Sequence, residues 1–284
     1  MEASIVSKKS KVWIILVPVI ILLVLLCGAV VGFTVLGSNA GDKVLTQDLS
    51  ESLGDATAAK FEFNLGTANL TIDRLAGGEQ LLASGTLEYL ESQGRSTGTL
   101  DMNGHLYTLA LKASGGWQSG VRLRWAACNG KFEWQIHLNP NLPSDITAYN
   151  GGGKGKINLA GMVETRLVAD TGGGKADVVL PDGASDLSVT AKTGGGNVTV
   201  ELGSGTTGSN AVTTTNGAGN MVVRLPAGVA ALIHATTGIG KVIVDSRFNQ
   251  IDKNTYQSPA YDSAMNRIEI NAKIGAGNVI VITK

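Results

Sequence analysis

The phrase Gly-x-Gly, followed by Lys or Asn and then by alternating apolar residues, recurs six times in the second half of this 284-residue chain. The copies are Gly153-Lys-Gly-Lys-Ile-Asn-Leu159, Gly172-Gly-Gly-Lys-Ala-Asp-Val178, Gly194-Gly-Gly-Asn-Val-Thr-Val200, Gly217-Ala-Gly-Asn-Met-Val-Val223, Gly238-Ile-Gly-Lys-Val-Ile-Val244 and Gly275-Ala-Gly-Asn-Val-Ile-Val281. Their second glycines, Gly155, Gly174, Gly196, Gly219, Gly240 and Gly277, are separated by 19, 22, 23, 21 and 37 residues. A period of about twenty residues predicts a solenoid of stacked coils. Each coil has too few apolar side chains to fold alone, so it must bury them against its neighbours.

Alternation after each glycine pair sends one set of residues inward: Ile157 and Leu159, Ala176 and Val178, Val198 and Val200, Met221 and Val223, Val242 and Val244, Val279 and Val281. A second strand precedes the glycines. Leu167, Val189, Val212, Ile233 and Ile270 stand five residues before the first glycine, and the small residues Ala169, Ala191, Thr214, Ala235 and Ala272 stand three before it. The small column marks a narrow corner, and glycine supplies the turn dihedrals there. Facing outward, Lys156, Lys175, Asn197, Asn220, Lys241 and Asn278 follow the glycines, and a second column reads Asn158, Asp177, Thr199, Val222, Ile243, Ile280. That column turns apolar along the chain. Val222, Ile243 and Ile280 are therefore either covered by an adjoining segment of the same chain or a contact surface for another subunit or protein.

No charged side chain occurs between Val12 and Leu36. As a helix this run is about 37 Å long, enough to cross a hydrocarbon core of about 30 Å. Lys8, Lys9 and Lys11 precede the run and Lys43 lies soon after it, beside Asp42, so the positive-inside bias puts the N-terminus in the cytoplasm and residues from about 40 onward outside the cell membrane. A signal peptide cleaved after Ser38-Asn-Ala40 is the alternative, but its apolar region would be only about 7 to 15 residues long. Cys27 follows Leu26, where a lipoprotein site would have a small residue, and it sits mid-span, so a disulfide with Cys128 is not expected.

The expected organisation is a cytoplasmic tail over 1–11, a transmembrane helix over 12–36, a flexible tether over 37–59, an N-terminal β segment with a cap over 60–150, and the regular solenoid over 151–284. Within 60–150, Phe61, Phe63 and Leu65, then Leu70 and Ile72 after Gly66, read as a degenerate coil, and 81–89 and 105–111 as further strands. Trp117, Trp125, Phe132 and Trp134 concentrate aromatic mass where a terminal coil needs a cap; an aromatic ligand platform with Arg122 and Arg124 is the alternative. The segment 248–266 accounts for the long last interval and reads as a loop over the solenoid.

Chemistry is sparse. Dinucleotide and phosphate loops need a helix N-terminus directly after the glycines, and here a strand follows. Calcium-binding β-rolls use Gly-Gly-x-Gly-x-Asp, and Gly172-Gly-Gly-Lys-Ala-Asp177 has Lys175 in place of the last glycine. His105, His137 and His234 lack metal-ligand spacing. No nucleophile elbow or zinc-protease motif occurs, and Asp170, Asp177 and Glu201 are the carboxylates that a carbohydrate-active β-helix enzyme would use. A formal net charge of zero argues against a nucleic-acid partner. No catalytic residue, cofactor or metal is expected.

The stretch Trp134-Gln-Ile-His-Leu-Asn-Pro-Asn-Leu-Pro-Ser-Asp-Ile-Thr147, the glycine repeats and the ending Tyr256-Gln-Ser-Pro-Ala-Tyr-Asp-Ser-Ala-Met-Asn-Arg-Ile-Glu-Ile270 together resemble the bacterial toast-rack domain family. Leu65-Gly-Thr-Ala-Asn-Leu-Thr-Ile-Asp73 and Gly85-Thr-Leu-Glu-Tyr89 resemble its N-terminal segment, so the likeness spans about residues 60–284. The resemblance implies a membrane-tethered β-solenoid related to cell wall-active antibiotic response proteins, some of which regulate envelope-stress histidine kinases. Those regulators commonly carry several membrane spans, against one here. The expected fold is thus an all-β solenoid behind one transmembrane helix. The expected function is a non-enzymatic binding or regulatory module of the envelope, whose partners are the lipid bilayer through 12–36 and an envelope or membrane protein. A scaffold that self-associates through solenoid edges and a carbohydrate-active enzyme are the alternatives.

Overall fold

A computed structural model describes residues 43–76, 80–114 and 132–284. The run 12–36 expected to form a transmembrane helix, with its flanks, lies outside these residues, as do Trp117, Arg122, Arg124, Trp125 and Cys128. Among the described residues, no helix is long and apolar enough to cross a membrane. The compact unit Lys43–Lys284 is all-β.

Its body is a stack of parallel coils, each contributing one strand to each of two ladders. Going down the stack, the coils are β6 (Leu106–Lys112) with β7 (Glu133–Leu138), β2 (Ala58–Leu65) with β3 (Asn69–Arg74), β8 (Ser144–Asn150) with β9 (Gly153–Asn158), β10 (Glu164–Thr171) with β11 (Gly174–Val179), and β12 (Ser188–Thr193) with β13 (Gly196–Glu201). There follow β14 (Ser209–Leu225) and β19 (Arg267–Thr283), each long enough to run through both ladders, and then β15 (Ala230–Ile239) with β16 (Val242–Val244).

The interior consists of columns in register. In the first ladder Leu109, Phe61, Ile146, Leu167, Val189, Val212, Ile270 and Ile233 lie one above another, all at most 1% exposed. The small column beside them contains Ala169, Ala191, Thr214, Ala272 and Ala235, as the alternation predicts. Buried Thr214 donates its hydroxyl to Met221 Sδ at 2.8 Å, which satisfies the one polar group in that column. In the second ladder Ile136, Ile72, Ile157, Val178, Val200, Val223, Val281 and Val244 superimpose. Strands about 4.8 Å apart bring these aliphatics into contact, each burial contributing roughly 1.5 to 3 kcal/mol.

Several expectations need correction. The first repeat is shifted by two residues: Gly174 pairs with Gly153, and Ala176 pairs with Gly155. Gly155 is therefore a buried position inside β9, not a turn; Ile157 and Leu159 are buried as expected, but in register it is Gly155 and Ile157 that pair with Ala176 and Val178. Lys154 and Lys156 take the outward positions given above to Lys156 and Asn158. Glycines at 151, 152, 153 and 155 allow either alignment by pattern, and backbone pairing chooses between them.

Coil order also departs from chain order. β2 and β3 lie between the coil of β6 and β7 and that of β8 and β9, both of which follow them in sequence, and β19 lies between β14 and β15. The last interval is accordingly more than a loop. It holds β17 (Asn249–Gln250) and β18 (Thr255–Gln257), β18 runs antiparallel to β15, and the segment returns the chain one coil back so that β19 can insert. Nor is the tether flexible from residue 44 onward: β1 (Val44–Ser52) runs antiparallel to β4 (Leu81–Leu90), and Leu49 joins the core. Its polar composition hides a strand because one of its faces is solvated, which requires few apolar residues.

Antiparallel strands close the first end. β5 (Thr97–Asn103) pairs with β6, and β4 pairs with β7. Of the aromatics expected to cap the stack, Phe132 and Trp134 are buried at this end, and the Trp134 ring N–H donates to the Glu88 carbonyl at 3.2 Å.

Candidate functional site

The three outward aliphatics named from sequence come together. Val222 pairs with Ile280 and Ile280 with Ile243, forming one apolar strip across the last three coils of the second ladder. Val222 and Ile280 are half-buried and Ile243 is 47% exposed, so no described segment of the chain covers Ile243. The strip begins beyond Thr199 and Asp177, its polar counterparts in the preceding coils. It ends on β16, which pairs with β19 on one side and with no strand on the other among the described residues. In the first ladder the equivalent edge, β15, is covered by β18. Ile239, 77% exposed, precedes β16 at the corner. The chain thus leaves one strand edge open and places apolar side chains beside it.

The corner between the ladders is built almost entirely from backbone. Gly153, Gly174, Gly196, Gly219, Gly277 and Gly240 have φ between +111° and +142°. A Cβ on Gly196 would lie 1.7 Å from the Gly174 carbonyl oxygen, and one on Gly219 the same distance from that of Gly196. Close stacking and left-handed backbone both exclude side chains here. The chain groups released at the turn are tied off from inside by a buried polar column that sequence reading passed over. Asn150 Nδ2 donates to the Ala68 carbonyl at 2.8 Å and Asn216 Nδ2 to the Gly196 carbonyl at 2.9 Å, while the Thr193 and Thr237 hydroxyls donate to the Gly195 and Gly277 carbonyls. The available signal was a polar residue at an inward-facing position immediately before the glycines. Outside, Asn197 Oδ1 accepts the Asn220 backbone N–H at 3.0 Å, and Asn278 Oδ1 accepts that of Lys241 at 3.1 Å. A groove of about 650 Å³ follows this corner, lined by glycine backbone with Asn69, Lys154, Lys175 and Asn197.

At the opposite turns, aspartates link consecutive coils. Asp182 Oδ1 accepts the Ser204 N–H at 2.7 Å, and Asp186, with φ +56°, accepts the Ser209 N–H at 3.0 Å. These donated backbone hydrogens hold both carboxyls below the usual carboxylate range, as the Arg247 N–H does for Asp245. Near the first end, the Tyr107 hydroxyl donates to Asp55 at 2.5 Å, lowering the carboxyl and raising the phenol.

The carboxylates considered for catalysis do not converge. Asp177 is paired with Lys175 at 2.6 Å and Glu201 with Lys284 at 2.8 Å, whereas Asp170 belongs to the other ladder. His105 contacts Asp55, His137 contacts Asp73, and His234 lies 3.2 Å from the Thr255 hydroxyl. Among the described residues, no three His, Cys, Asp or Glu side chains are grouped as a metal site.

Parallel coils, a corner stacked through glycine backbone and an uncovered terminal edge define a stacked β protein. The model of the family described as the N-terminal domain of toast_rack, DUF2154, matches residues 39–201, more than half of the chain. The chain belongs to this toast-rack family. No curated protein matches it. Among solved structures, a candidate cell adhesion protein from Clostridium sporogenes is 22% identical, aligns over 85% of this chain and 100% of its own, and has a TM-score of 0.62, which supports the fold. A candidate adhesin from Bacteroides fragilis is 12% identical over 84% of this chain and 97% of its own, with a TM-score of 0.29. Another from Parabacteroides merdae is 13% identical over 86% and 98%, with a TM-score of 0.21. Neither of the last two carries a fold argument.

Proposed function

We propose that this chain is a non-enzymatic binding or regulatory module of the bacterial cell envelope, held at the membrane by the apolar run 12–36 with residues from 43 onward outside. The observation that carries the reading is the Val222–Ile280–Ile243 strip running to the open edge of β16. Contiguous apolar surface beside unpaired backbone suits a protein partner, since burial supplies affinity and the strand edge supplies register. The toast-rack membership and the likeness to a candidate cell adhesion protein are consistent with a contact role outside the cell. The lysine partners of Asp177 and Glu201 favour binding over acid–base catalysis. A photo-cross-linker at Ile243 in intact cells should capture a discrete envelope protein, and Ile243→Asp should abolish that capture without changing the melting profile. Protease added to intact cells should remove the region from 43 onward; its resistance there would refute the topology.

The open β16 edge also favours a second reading, self-assembly through paired edges. Light scattering of residues 43–284 over a concentration series should then show association that Ile243→Asp suppresses, whereas a monomer throughout would eliminate it.

A further inference from the structure

On the outer face of the first ladder, strand register places Lys112, Asn64, Tyr149, Asp170 and Lys192 in one row, one residue per coil. Neighbours in the row are separated by the strand spacing of about 4.8 Å. Tyr149 is 47% exposed, and its side chain has no hydrogen-bond partner among the described residues. The side chains of Asn64 and Asp170, which flank it, likewise make no hydrogen bond or ion pair there, although Asn64 is exposed and Asp170 half-buried. Lys112, Asn64, Tyr149 and Asp170 of this row line a depression of about 320 Å³ that reaches Gly66 and Gly151, and Gly151 also lines the glycine groove around the corner. An aromatic face flanked by a free amide and a free carboxylate thus lies next to the glycine groove, the two depressions meeting at Gly151.

We infer that this row and the adjoining corner form a glycan site, taking a polysaccharide strand of neutral or N-acetylated pyranose sugars with one ring stacked on Tyr149. A pyranose ring presents a C–H face to an aromatic ring and hydroxyls around its rim. Here the Asn64 amide on one side can donate and accept, and the Asp170 carboxylate on the other accepts charge-assisted hydrogen bonds. A few placed polar groups around apolar surface are the usual means of fixing ligand orientation. The glycine corner adds exposed backbone carbonyls and amides, with Asn69 and Asn197 beside them as further hydrogen-bonding groups. At the ring itself the Asp170 carboxylate opposes an anionic polymer, whereas Lys112 and Lys192 in the same row would attract one, so the salt dependence of binding decides between them. The row is on a different ladder from the Val222–Ile280–Ile243 strip, so the two sites are separable by mutation.

The test uses the full chain in detergent, with an N-acetylglucosamine tetrasaccharide and peptidoglycan stripped of its anionic polymers as probes. Both should bind, with little dependence on salt. Tyr149→Ala should weaken binding about tenfold or more, and Asp170→Asn by about tenfold, the scale of one lost stacking contact or charge-assisted hydrogen bond. Tyr149→Phe should retain the affinity, and Ile243→Asp should leave it unchanged. Failure of both probes to bind, binding indifferent to Tyr149→Ala, or binding lost on raising salt would each overturn the site, the last pointing to a polyanion. None of these results bears on partner capture at Ile243.

Discussion

At the scale of single residues, two glycines two positions apart in the motif have opposite tolerances. Gly219→Ala forces a Cβ to 1.7 Å from the Gly196 carbonyl oxygen at φ +131°, and should destabilise the fold by about 3 kcal/mol or more. Gly155→Ala meets nothing nearer than 3.8 Å and repeats the alanine already present at its register partner Ala176. It should be neutral or stabilise by about 0.4 to 1 kcal/mol. Chemical denaturation of the two variants checks the register directly, and equal destabilisation would show that the first repeat is misaligned. That register was not legible in the sequence because Gly151 to Gly155 offers two equivalent readings, and only backbone pairing distinguishes them. The outward aliphatics fared differently: Val222, Ile243 and Ile280 were identifiable because strand alternation fixes which face a residue takes.

At the scale of elements, the corner and the far turns hold the coils by different means. Asn216 both donates to the Gly196 carbonyl and accepts the Ala218 N–H from inside the core. Asn216→Ala should therefore cost about 1 to 3 kcal/mol by stranding buried chain groups, seen as a lower denaturation midpoint. In the column alongside, Ala191→Leu should cost about 1 to 3 kcal/mol by overpacking a site with no exposed surface. At the far turns the effect depends on pH. Asp182 and Asp186 titrate below their ordinary value when folded, so their stabilisation is complete above the unfolded carboxylate value and disappears as pH falls through the folded one. Thermal melts from neutral to acid pH should fall most steeply in that acid window, and Asp182→Asn should flatten part of the fall. Sequence alternation disclosed most of the strands but missed β1, whose residues Thr46, Gln47, Asp48 and Ser50 look like linker until β4 supplies the ladder that pairs them.

At the scale of the whole molecule, the spacing of the repeats reveals a stack but not its order. Nothing in a one-dimensional period says that β19 enters between β14 and β15, because every coil presents nearly the same apolar columns and any neighbour would satisfy them. The 37-residue last interval was the only sign of a detour. The arrangement has a measurable signature: in hydrogen exchange, backbone amides of β19, held on both sides, should be among the slowest, and those of β16, held on one side, among the fastest. Fast exchange throughout β19 would contradict its interior position. Removing residues 267–284 should abolish cooperative unfolding instead of merely shortening the stack, because β15 and β16 would lose the strand that joins them to β14. There is a further consequence for biosynthesis. A ribosome makes this wedge after both of its neighbours, so the two surfaces it separates must wait apart, sticky and unmatched, until it emerges, and any factor that delays its arrival would leave them unsealed.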